Sequence, residues 1–256
     1  MKGLFYGEVL ENRLIAPDIY DMRLHAPDAV AGARAGQFIS LYTGDAAMLL
    51  PRPLSICQMD PSCGIFRVVY KVAGQGTEKL AALCPGDELR GLAPLGSFYQ
   101  IDENHRKFAI VGGGMGAPPM LGLACQIRHQ MPDTHISVYL GFRDNSQVIL
   151  ADDFGLYADE VIITTDDGSF GIKGNAIAAL PEKPDFDAVF GCGPHAMLKY
   201  LAKYAREKGL PCHVSLEERM ACSIGACLAC VTKTEKGLAK VCAAGPVFDA
   251  KEVVWT

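Results

Sequence analysis

Cys222, Cys227, Cys230 and Cys242 are spaced C-x4-C-x2-C-x11-C near the end of the chain, the ligand pattern of a plant-type [2Fe-2S] cluster. Four thiolates that share one cluster have to converge, so this segment must fold back on itself around a metal centre. A chain so equipped moves electrons one at a time. The residues between the first three thiolates, Ser223-Ile224-Gly225-Ala226 and Leu228-Ala229, are small or uncharged. Small residues let backbone N–H groups approach the sulfurs, where hydrogen bonds tune the potential. A structural zinc site is the alternative, although zinc knuckles present two C-x2-C-like pairs and only Cys227 and Cys230 are so paired. Ordinary buried cysteine is the remaining reading.

The other six cysteines, Cys57, Cys63, Cys84, Cys125, Cys192 and Cys212, are scattered and do not read as a disulfide framework. Glu8 and Glu11 interrupt the apolar stretch from Leu4, so no signal peptide is read and a reducing cytoplasm is the expected compartment. The charge-free run from Phe108 to Cys125 raises the question of a membrane span. Gly112, Gly113, Gly114, Gly116, Pro118 and Pro119 within it suit a strand, a phosphate loop and a helix start instead. A net charge of −5 gives no electrostatic reason to expect nucleic acid, and 256 residues are enough for two domains or one large one.

Short apolar runs alternate with turn residues up to Tyr99: Phe5–Ile15, Tyr20–His25, Gln37–Tyr42, Leu54–Gln58, Ile65–Val72 and Glu88–Leu92. That rhythm predicts a small antiparallel barrel. After the polar stretch at 102–107 it changes to strand, helix, strand. Phe108–Val111, Ile136–Phe142, Val161–Thr165 and Ala188–Phe190 read as buried parallel strands, with helices over Pro118–Gln130 and His195–Lys208.

Gly112-Gly113-Gly114-Met115-Gly116-Ala117 follows a predicted strand and opens a predicted helix, fitting G-x-G-x-x-A. Backbone amides at such a turn cradle a pyrophosphate. The acidic residue expected about twenty positions on has no counterpart, since Gly141-Phe142-Arg143 stands there. A turn serving only tight packing therefore stays open. A second glycine turn, Gly191-Cys192-Gly193-Pro194, ends the fourth strand at the sheet's carboxyl edge, where open α/β folds bind ligands. Cys192 is placed over a bound nicotinamide or, on the plainer reading, is a small buried thiol without a partner nearby in sequence beyond His195, which begins the helix.

Together with Arg52-Pro53-Leu54-Ser55, Gly74-Gln75-Gly76-Thr77, Cys192-Gly193-Pro194 and the run Ser215 to Cys222, these motifs resemble the ferredoxin–NADP reductase superfamily. Within it they are most similar to the electron transfer subunits of type B dihydroorotate dehydrogenase. The resemblance covers nearly the whole chain, and its most specific part is the cluster motif joined to so short a flavin reductase. It implies a ferredoxin reductase-like fold: an FAD-binding antiparallel β barrel over 1–100, a Rossmann-like α/β domain for NAD over 101–211, and a [2Fe-2S] segment over 212–256. It also implies that Arg52, Pro53, Leu54 and Ser55 hold FAD, with the Arg52 guanidinium on the pyrophosphate and Ser55 near the isoalloxazine ring. A planar cation matches phosphate oxygens bidentately. By the same resemblance Val69, Tyr70 and Lys71 line the flavin, and Gly76 and Thr77 offer amides and a hydroxyl to the phosphates. Strand core and a solvated end are the plainer readings of 69–71. Glu217 and Glu218 read as a solvent-facing charge cluster, with an approach to the flavin as the alternative. Ala93 and Ser223 stand where Gly is common in the family, and at Ser223 one backbone conformation is expected to differ.

The activity implied is electron relay. A separate FMN-containing catalytic subunit would oxidise dihydroorotate to orotate in pyrimidine synthesis, in a two-plus-two heterotetramer, and this chain would pass the electrons through the cluster and FAD to NAD+. Flavin joins one-electron and hydride chemistry. Neither paired carboxylates nor a Ser–His–Asp arrangement stands out, and relay needs none. The lack of a basic cluster after Phe142 beyond Arg143 favours NAD over NADP. Three rivals stay open: a related subunit of a sulfhydrogenase or ferredoxin:NADP oxidoreductase, a redox sensor binding a protein target through its cysteine-rich tail, and a zinc-stabilised binding module.

Overall fold

The computed structural model describes residues 3–255. In β1 (Gly3–Ala16) Phe5, Gly7 and Val9 are buried while Leu4, Tyr6 and Glu8 are exposed, the period-two pattern of a strand covered on one face. It joins β2 (Ile19–His25), β3 (Phe38–Leu41), β4 (Arg52–Ser55), β5 (Gln58–Asp60), β6 (Ile65–Lys71) and β7 (Glu88–Leu95) in an antiparallel sheet of order β4-β3-β7-β1-β2-β6-β5. Short helices α1 (Pro27–Val30) and α2 (Gln75–Ala81) fill its connections. The run Leu54–Gln58, expected as one strand, is two. The chain crosses there between the two edge strands: the Ile56 N–H donates to Gln37 O at 3.1 Å and the Cys57 N–H to Arg67 O at 2.8 Å. That crossing curls the sheet into a barrel, which leaves fewer open edges.

The second sheet has the order β11-β10-β9-β8-β12-β13-β16, from β8 (Lys107–Gly113), β9 (His135–Phe142), β10 (Glu160–Thr165), β11 (Ile172–Lys173), β12 (Ala188–Cys192), β13 (Cys212–Ser215) and β16 (Val247–Asp249). All neighbours pair parallel except β13 and β16. β8 and β12 are buried along nearly their whole length, as strands packed on both faces must be. The helices α3 (Ala117–Gln130) and α5 (His195–Lys208) fall where the sequence places them, and α4 (Ala151–Gly155) is a single turn. The charge-free run is β8, a tight turn and the start of α3. Among the described residues no helix is long and apolar enough to cross a membrane.

Several short elements go beyond the sequence reading. β13 and β16, at the two ends of the cysteine-rich segment, both belong to this sheet, so residues 216–246 form an excursion that leaves the sheet and returns to it. The excursion holds the hairpin β14 (Val231–Thr234) and β15 (Gly237–Lys240) and the turn α6 (Val241–Ala244). Barrel and α/β unit share one core, in which Cys57, Val69 and Tyr99 pack with Phe108, Met120 and Phe190. Buried Arg67 ties them further, donating through Nε to Asp21 at 3.1 Å and pairing with Asp153 of α4.

Candidate cofactor sites

Pro53, Leu54 and Ser55 of β4 and Val69, Tyr70 and Lys71 of β6 wall one cavity of about 230 Å³, completed by Phe38, Met115, Ser215–Glu218, Met220 and Pro246. Val69 and Tyr70 are core and cavity wall at once: they take opposite faces of β6, Val69 in the core shared with the α/β unit and Tyr70 in the barrel's own, and both border the opening. The Tyr70 hydroxyl donates to Asn12 Oδ1 at 3.0 Å, and burial holds its pKa above the ordinary 10.0. It is thus fixed and neutral, a flat wall for a planar ring.

Arg52, Gly76 and Thr77 line an adjoining hollow of about 450 Å³ at the start of α2. The Arg52 guanidinium lies across the Gly76 backbone so closely that a Cβ there would fall 1.7 Å from Nε. Arg52 Nη1 donates to Leu50 O at 2.7 Å, and among the described residues Arg52 has no carboxylate partner. A cation against the unpaired amides of a helix start is an anion cradle. Thr77 serves it differently from expectation. Its hydroxyl donates to Gly74 O at 2.9 Å and accepts the Ala73 N–H at 2.8 Å, so it shapes the turn and has no proton left for a phosphate.

Of the four loop glycines, Gly114 opens onto a hollow of about 240 Å³ with Lys71, Met115, Phe142, Arg143, Asp144 and Gln147. Gly112, Gly113 and Gly116 pack instead. A Cβ on Gly116 would lie 2.1 Å from Cys192 O, so the β8 and β12 turns meet at the point where chain order reverses in the sheet, the usual ligand crevice of such folds. Lys71 and Met115 line both this hollow and the first cavity.

Cys192 is buried at that crevice with a partner 25 positions on, its Sγ donating towards Glu217 Oε1 at 3.9 Å. Burial, then the Glu217 charge, pushes the thiol well above 9.0, so it stays protonated. Glu217 and Glu218 are exposed, as expected of a solvent-facing charge cluster, and they also line the first cavity. Glu217 is reached by solvent through that opening, yet enough protein surrounds its carboxyl to raise its pKa above 4.5. The short strand β13, ending at Ser215, delivers Glu217 to the crevice.

The four C-terminal thiols gather two by two. The Cys227 N–H donates to Cys222 Sγ at 3.3 Å, and the Cys242 N–H to Cys230 Sγ at 3.5 Å. The hairpin β14–β15 and the bond from Val241 N–H to Cys230 O at 2.7 Å return Cys242 to its partner. Backbone N–H groups of Cys227, Ile224 and Ala226 lower the Cys222 pKa to about 6, while burial lifts Cys242 to about 11. Among the described residues no three His, Cys, Asp or Glu side chains surround a single metal-ion position. Two thiol pairs with amides aimed at sulfur fit the two irons of a [2Fe-2S] cluster.

Residues 217–254 match the family described as the iron-sulfur cluster binding domain of dihydroorotate dehydrogenase B. Over 97% of its length and 97% of the relative's, the chain is 36% identical to the dihydroorotate dehydrogenase B (NAD(+)) electron transfer subunit of Clostridium perfringens. It is 38% identical to that of Geobacillus thermodenitrificans, over 96% of each chain. A solved NADH-dependent reduced ferredoxin–NADP oxidoreductase, studied for flavin-based electron bifurcation, superposes with a TM-score of 0.87 at 32% identity, covering 97% of this chain and 90% of that one. Fold, thiol pairs and similarity agree: this chain belongs to the family of dihydroorotate dehydrogenase B (NAD(+)) electron transfer subunits.

Proposed function

We propose that this chain passes electrons between a separate FMN-containing subunit, which oxidises dihydroorotate to orotate in pyrimidine synthesis, and NAD+, with a [2Fe-2S] cluster and FAD as its own cofactors. The observation that carries this reading is the placing of the first cavity. Lys71 and Met115 connect it to the Gly114 hollow, and Met220 in its wall stands two residues before Cys222. Arg52 binds pyrophosphate beside Gly76, Pro53 to Ser55 and Val69 to Lys71 orient the isoalloxazine, and Gly114 admits the dinucleotide. Bound flavin supplies the exchange between single electrons and hydride. Cys192, its proton kept on sulfur beside Glu217, would border the nicotinamide. Cys222, Cys227, Cys230 and Cys242 hold the cluster.

The partner meets the cysteine-rich excursion. Ile224, Leu228 and Leu238 are 61%, 73% and 75% exposed around the thiols, an apolar rim that an assembled two-plus-two complex would cover. Anaerobic reduction by NADH should bleach the flavin of the purified chain and then the cluster, while dihydroorotate should reduce it only when the FMN subunit is added. Oxidation of dihydroorotate by the chain alone would sink this division of labour. The second reading, a ferredoxin-linked NAD(P) oxidoreductase subunit, is favoured by the 0.87 superposition; reduced ferredoxin replacing the FMN subunit as donor would select it.

A further inference from the structure

Ser223 directly follows the ligand Cys222 and holds a φ of +61°. Left-handed backbone is disfavoured for any residue with a Cβ and persists only where its surroundings over-determine it. Across 183 positions of sequence the Ser40 hydroxyl of β3 donates to Ser223 Oγ at 2.7 Å. The two residues are 0% and 1% exposed, so solvent does not complete the pair. Ser40 has thereby used its one hydroxyl proton. Ser223 still carries its own, and among the described residues no acceptor takes it. A buried hydroxyl proton left without an acceptor is costly, and the turn that holds it already aims the Cys227 N–H at Cys222 Sγ at 3.3 Å.

We propose that Ser223 donates this proton to a sulfur of the bound cluster, that Ser40 aims it, and that the hydroxyl pair sets the cluster's reduction potential upward. Hydrogen bonds to cluster sulfurs favour the reduced form, which carries the extra negative charge. Ser40 stands in strand register with Pro53, a wall of the flavin cavity. The same contact therefore fixes the cluster loop to the flavin side of the barrel. Ser223 is a positioning and tuning residue, outside the ligand set.

The test is an EPR-monitored redox titration of the full chain with its cluster, comparing wild type with Ser223→Gly and Ser40→Ala. Glycine adopts the positive φ without strain, so Ser223→Gly keeps the turn and removes only the hydroxyl. Its expected effect is about a fivefold fall in the reduced-to-oxidised ratio at fixed potential. At 59 mV per tenfold for one electron, that is about 41 mV downward. Ser40→Ala leaves the proton present but unaimed, giving a smaller downward shift and altered g-values. Iron and sulfide content should match wild type in both. A Ser223→Gly potential equal to or above wild type would overturn the proposal. So would loss of the cluster from Ser223→Gly, which would make the pair an anchor and nothing more.

Discussion

Gly76→Ala isolates the phosphate cradle from the rest of the fold. The new methyl would lie 1.7 Å from Arg52 Nε and 2.3 Å from Cζ and Nη2, so the guanidinium has to leave. It is the end of a flexible side chain, and alanine favours the helix that begins there, so the protein without flavin should keep its stability to within about 0.5 kcal/mol. What is lost is a charge-assisted contact with pyrophosphate. Such bonds contribute about 1.5–3 kcal/mol, which at about 1.4 kcal/mol per decade predicts an FAD Kd roughly tenfold to a hundredfold weaker. Calorimetric titration of flavin-free protein reads this directly. Arg52→Ala should weaken binding over the same range, and the double variant should be no worse than either single one, since both remove one interaction. Wild-type affinity in Gly76→Ala, or full additivity in the cycle, would refute the cradle.

Three further outcomes follow from the geometry. Asp21→Ala should destabilise the chain by about 3 kcal/mol in urea, because it leaves the buried Arg67 with only Asp153 and Gln58; a shift under about 0.5 kcal/mol would mean that the charge finds water. Glu217→Gln should stabilise the flavin-free protein increasingly as pH rises above 4.5: with its folded pKa raised, wild type loses stability from there up to the folded value, whereas Gln does not titrate. Wild-type and variant denaturation midpoints that stay parallel from pH 4 to 7 would contradict the raised pKa. Cys230→Ala should abolish iron and labile sulfide while FAD remains, since Cys230 stands outside the flavin cavity; loss of both cofactors on quantitation would show that the excursion and cavity fold as one.

Local chemistry was largely legible. Most strands and both long helices stand within three residues of their expected limits, because hydrophobic period and turn residues are local signals. Six of the expected FAD residues line one cavity and three line the next, once closure of the barrel brings β4 against β6. The failures share a cause. Leu54–Gln58 reads as one apolar run, and only closure of the barrel breaks it. The three- and four-residue strands β16 and β13 carry too little pattern to announce themselves. The loop glycines look equivalent in sequence, yet one opens to a ligand hollow and three pack.

Sequence by itself picked out the four-cysteine motif, because its spacing is a short-range constraint, and the two kinds of sheet, because periodicities of two and of strand-helix-strand are written residue by residue. Tertiary structure alone decided which distant groups meet: Cys192 with Glu217, Ser40 with Ser223, Arg67 with Asp153. Each pair joins segments 25, 183 and 86 positions apart. Nothing in either local sequence encodes such a meeting; it is fixed by how barrel and sheet share a core.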